Sequence, residues 1–157
     1  MKSSKIKSVT FNNKTCVVTI QTSAAALDLP YSKLMLKPSP GNGIKEAYVD
    51  KELAQRCVTF MLKDGQEDSV PIEAFWEYNR DPDYMREIEL YKLTTKAISL
   101  VKASNLSKRF ICRQMGTSLS QLSRLLDPKN QKKTIDQMLR LITILGADFE
   151  IKVAAGF

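Results

Sequence analysis

The chain changes its residue rhythm once, at Asn79-Arg80-Asp81-Pro82, and that break limits the folds open to it. Upstream, apolar and polar residues alternate in short runs that suit half-buried strands; downstream they recur every three or four residues, the period of one helix face. Asp81 is placed to cap a helix, Pro82 takes the first helical position, where an amide hydrogen is not needed, and Asp83 sits near the positive end of the helix dipole. The reading is a mainly β domain over residues 1–80 and a helical domain over 81–157.

In the first domain, residues 5–11 (KIKSVTF) and 14–22 (KTCVVTIQT) alternate on either side of Asn12-Asn13, which predicts a β-hairpin with a two-residue turn. The stretch AAALDLPYSKLMLKP suits either class, and residues 37–43 (KPSPGNG) form a Pro/Gly loop. Strands are expected at 44–49 (IKEAYV) and 56–62 (RCVTFML), the latter turning at Lys63-Asp64-Gly65 into 68–72 (DSVPI). A short helical or irregular stretch, EAFWEY, leads to Asn79. Beyond the cap, Leu90, Leu93, Ala97, Ile98 and Val101 share one face of a helix that runs to about Ala103.

Composition removes several function classes. With no His, His-dependent triads and His-ligated zinc sites are impossible. Cys16, Cys57 and Cys112 form no CxxC pair, and their odd number fits a reducing compartment in which each is a small buried hydrophobe. The basic start, MKSSKIKSV, passes directly into alternating residues without the apolar run of a signal peptide. The apolar stretches at 23–29 and 139–145 are far shorter than the roughly 20 residues that span a bilayer, so a soluble cytoplasmic protein without a membrane partner is expected. Acid pairs such as Glu67-Asp68 and Asp81/Asp83 lie in a turn and a cap, and no Gly-rich phosphate loop or nucleophile elbow accompanies them. No enzyme and no cofactor are expected.

Charge is unevenly divided. After Met85 there are 13 Lys/Arg against 6 Asp/Glu, while the part up to Met85 balances 11 against 11, so the whole net charge of +7 lies in the C-terminal part. A field of that sign draws polyanions.

From Ser107 the chain reads SKRFICRQMGTSLSQLSRLLD. Ser107 can cap a two-turn helix ending at Gly116, a residue free to adopt the left-handed conformation, and Thr117-Ser118 can cap a second short helix to about Leu126. That spacing is a helix-turn-helix, with Ile111, Met115, Leu122 and Leu125 at the crossing and Cys112 where the helices approach. Ser120, Gln121, Ser123 and Arg124 face outward from the second helix, hydrogen-bonding groups suited to base edges and phosphates. The loop from Asp127 to Lys133 adds cations, Lys132 and Lys133 among them, where a docked domain meets the DNA backbone. A last helix opens with the box Thr134-x-x-Gln137 and is expected to set Ile135, Met138, Leu139, Ile142 and Leu145 on one face.

These motifs, SKRFICRQMGTSLSQLSRLLDP followed by TIDQMLRLITILGADFEIKV, resemble the Cro and lambda-repressor (XRE) class of helix-turn-helix domains over about residues 84–153. More narrowly they are similar to the C-terminal DNA-binding domains of HicB-type antitoxins and related bacterial regulators. Added to the β-rich first half read above, the resemblance implies an α+β chain: a mainly β N-terminal domain, then an all-α lambda-repressor-like domain with a terminal β-strand. It also implies that Leu119, Ser120, Ser123 and Arg124 face the major groove, with Arg124 the candidate for a bidentate contact to guanine. Ser118 with Lys108 or Arg109 would hold phosphates, and Asn130 and Lys132 would touch the backbone or groove edge.

The expected function is a sequence-specific transcriptional regulator, a repressor acting as a homodimer on double-stranded DNA. The alternative is an antitoxin that masks a small toxin through its N-terminal domain and regulates its own operon. Two seams offer themselves for the dimer: residues 148–153 (DFEIKV), which alternate as a strand, and an edge of the N-terminal β domain. Trp76, Tyr78 and Tyr84 at the junction read as packing that seats a linker helix, with a protein-binding anchor as the other reading.

Overall fold

A computed structural model of the chain describes residues 5–155; the first four residues of the basic start, on which the signal-peptide reading partly rests, lie outside them. The chain forms two compact units, residues 1–85 and 86–157, so the division falls a few residues beyond the expected one.

Unit one holds two three-stranded antiparallel sheets. In the first, β1 (Ser8–Asn12), β2 (Val17–Gln21) and β3 (Ala26–Pro30) follow in chain order; in the second, β4 (Ile44–Val49), β5 (Cys57–Leu62) and β6 (Glu67–Pro71) do the same. Alternation explains the core: Val18 and Ile20 of β2, and Val58, Phe60 and Leu62 of β5, point inward and are buried, with Ile72 and Phe75 of α1 (Ile72–Tyr78) beside them. Asn13 joins the sheets. Its amide mimics a strand neighbour, donating to the Ile44 carbonyl at 2.9 Å and accepting from the Ile44 N–H at 2.9 Å and the Tyr31 hydroxyl at 2.7 Å. Gly43 makes room for it, because a Cβ there would stand 2.7 Å from Asn13 Cγ.

The first hairpin differs from the expected one. Asn13 is engaged with β4, so the reversal takes the four residues 13–16, held by Asn12 Oδ1 accepting from the Lys14 and Thr15 amides, with Cys16 at φ 58°. Nor are the cysteines uniformly buried: Cys16 is exposed, Cys57 is partly covered, and only Cys112 lies in a core. Burial, then Glu73 and Asp50, push the Cys57 thiol up from its ordinary pKa.

Unit two is helical. α2 (Pro82–Ala103) starts as expected, with the Tyr84 amide donating to Asp81 Oδ1 at 3.1 Å, and the division between units lies within this helix. α3 (Lys108–Met115), α4 (Leu119–Leu125) and α5 (Ile135–Ile144) close a core of Leu90, Ala97, Ile111, Cys112, Met115, Leu122, Leu125, Met138, Leu141 and Ile142. On α5 the buried face is shifted from the expected one: Leu141 is inside, Leu139 is half-buried and Ile135, the first helical residue, is exposed.

The expected fold class is corrected. The chain begins with two three-stranded sheets closed by α1, and the terminal strand is missing: residues 147–155 carry no strand, and Phe149, Ile151 and Val153 are 47%, 68% and 94% exposed. An alternating pattern becomes a strand only beside a ladder partner, and both sheets are built wholly from residues of unit one.

Candidate nucleic-acid interface

The turn between α3 and α4 is set by local chemistry. Ser107 Oγ accepts from the Phe110 amide at 3.1 Å and starts α3. Gly116, at φ 68° and ψ 38°, ends it in the left-handed conformation, with the Gly116 amide donating to Arg113 O and the Thr117 amide to Cys112 O, the paired closure of a Schellman motif. Ser118 Oγ then accepts from the Gln121 amide at 3.2 Å and opens α4 two residues later.

α4 has seven residues and buries two, Leu122 and Leu125. The other five, Leu119, Ser120, Gln121, Ser123 and Arg124, are exposed, and none is acidic. Leu119 stands 48% exposed in the first turn. Ser118 and Ser120 share a hydroxyl contact at 3.1 Å. Lys108 and Arg109 are exposed in the first turn of α3.

The segment after α4 is pinned at both its ends by side chains. Asn130 donates to the Arg124 carbonyl at 3.1 Å and accepts the Lys132 amide at 3.1 Å, which leaves the Lys132 ammonium outside. Gln121, Arg124, Asn130, Lys132 and Lys133 line one polar hollow with Leu125, Asp127 and, from α5, Gln137. The structure thus gathers five of the expected residues.

Lys133 does not belong with them as an outward cation. It is 4% exposed, and its Nζ donates to the carbonyls of Leu125 at 2.9 Å and Asp127 at 2.8 Å, closing the C-terminal end of α4. Burial holds its pKa below the ordinary lysine value, against the opposing pull of Asp127. Composition counts every lysine alike; only packing separates a structural ammonium from a free one.

Sequence reasoning also missed Arg86. From α2 its guanidinium donates to Gln131 O at 3.2 Å and Lys133 O at 2.9 Å, fixing the end of the same loop across some 45 residues of chain. A contact that distant leaves no periodic signal. Arg86 positions the loop through these two bonds, although the residue itself is exposed.

Among the described residues no group of three or more His, Cys, Asp or Glu could hold a metal ion, and no helix is long and apolar enough to cross a membrane. No family model, curated protein or solved structure matches the chain.

Proposed function

We propose that this chain is a sequence-specific DNA-binding transcriptional repressor that acts as a cytoplasmic homodimer and not as an enzyme. The observation that carries the reading is the outer face of α4, five exposed residues without an acid, in a unit that holds the whole net positive charge. Short hydroxyl and amide groups beside one guanidinium suit base edges in the major groove, with Arg124 forked onto a guanine and Leu119 against a thymine methyl. Lys108, Arg109, Ser118 and Lys132 contact phosphates, and Asn130 keeps the loop that bears Lys132 in place.

Selection of bound fragments from genomic DNA by the purified chain tests this. One inverted repeat should be enriched, and Arg124→Ala should lower affinity for it by about 1–3 kcal/mol while relaxing preference at one base pair. Lys132→Ala should weaken all sequences alike and reduce the salt slope by about one. Enrichment that is sequence-independent in the wild type would overturn the reading.

A further inference from the structure

α5 packs Met138, Leu141 and Ile142 into the core of its unit and leaves another stripe outside. Ile135, Asp136, Leu139, Arg140 and Thr143 are spaced so that they form one helix face. Leu139, Ile144 and Phe149 line a groove along it, flanked by Asp136, Arg140 and Thr143. Past Phe149, Ile151 and Val153 are exposed as well. Such a run of uncovered apolar side chains marks a contact surface.

The charges identify the occupant. Asp136 precedes Arg140 by four residues, the order that favours an ion pair along a helix. Yet neither Asp136 nor Arg140 joins an ion pair of the kind formed by Arg56–Glu73, Lys92–Glu89 and Lys152–Glu150. An acid and a base left unpaired one turn apart, beside an apolar strip, make a self-complementary surface. Two copies of α5 laid antiparallel about a two-fold axis set each Asp136 opposite the other copy's Arg140 and make the pair twice. DNA does not fit this strip, which is apolar and carries a carboxylate.

We propose that this face of α5, with Phe149, is the seam through which two copies of the chain associate. The proposal rests on the dimeric reading given above, and it deepens that reading by naming the surface.

Sedimentation velocity of the full chain over a concentration series, without DNA, is the test. The wild type should form a dimer reversibly. Asp136→Arg and Arg140→Asp should each weaken it about tenfold, because like charges then face each other twice. The double variant, with the charges exchanged, should recover most of the loss, which a merely unfolded surface cannot do. Phe149→Glu, at a position outside every helix, should give a monomer with unchanged helix content by circular dichroism. A wild type that stays monomeric overturns the seam, as do a dimer indifferent to the single exchanges and a double variant no better than either single. Arg124→Ala in the same assay should leave the dimer intact, so a failure of DNA recognition and a failure of the seam are read separately.

Discussion

Replacing Lys133 with Met keeps most of the aliphatic stem and deletes the ammonium. Two carbonyls at the end of α4, Leu125 O and Asp127 O, then lose the donors that stand 2.9 and 2.8 Å away. A buried acceptor without its partner costs about 1–3 kcal/mol. Against this, the desolvation that depresses the Lys133 pKa is relieved. The balance is a loss of about 2 kcal/mol, since the two carbonyls are left behind while only one charge is removed. For a unit the size of residues 86–157 that lowers the melting midpoint by roughly 8–16 °C. The pH dependence follows from the direction of the shift. A lysine whose folded pKa lies below its unfolded value binds fewer protons when folded, so the wild type gains stability as pH rises from the lowered value toward about 10.5. The variant lacks that gain, and the gap between the two widens with pH. Thermal melts by far-ultraviolet circular dichroism at neutral and alkaline pH measure both effects, and amide exchange places the loss in α4 and residues 126–133. An unchanged midpoint together with a gap that ignores pH would refute the reasoning, because it would mean that Nζ is solvated.

Two further outcomes follow from the same kind of argument. Gly116→Ala should cost about 1–2 kcal/mol, read as a lower melting midpoint, through its φ of 68° alone, since a Cβ there meets nothing within 4 Å; Gly116→Asn should recover part of it, because Asn tolerates that conformation. Burial, with Cys16 adding to it, raises the Tyr31 pKa to about 12, so the stability that its neutral phenol contributes is complete below about pH 10 and is lost as pH rises through 12. Tyr31→Phe should be less stable at neutral pH by about 1 kcal/mol for its lost bond to Asn13, and should approach the wild type above pH 10 in urea melts followed by Trp76 fluorescence.

What could be read from residues alone was what depends on neighbours in the chain. The caps at Asp81, Ser107, Ser118 and Thr134 and the left-handed Gly116 are decided within four residues, and each stands where its motif places it. The outward face of α4 was legible for the same reason: two inward leucines three residues apart orient the other five. Readings that needed a distant partner fared differently. Asn12-Asn13 suggested a two-residue turn, but Ile44 engages the second asparagine and lengthens the reversal. Residues 148–153 alternate like a strand, yet they carry none, and both sheets are built from residues of unit one.

The sequence by itself determined where the helices from Pro82 onward start, which half carries the positive charge, and which side chains α4 turns outward, because these depend on backbone propensity and short periods. Tertiary structure alone decided how the cations are used. Lys132 stays in solvent, while its neighbour Lys133 turns inward to close α4 and Arg86 reaches across from α2 to hold the same loop. Adjacent lysines are alike in sequence; the difference arises only when folding places unsatisfied carbonyls around one of them, and a buried acceptor needs a donor more than the surface needs another charge.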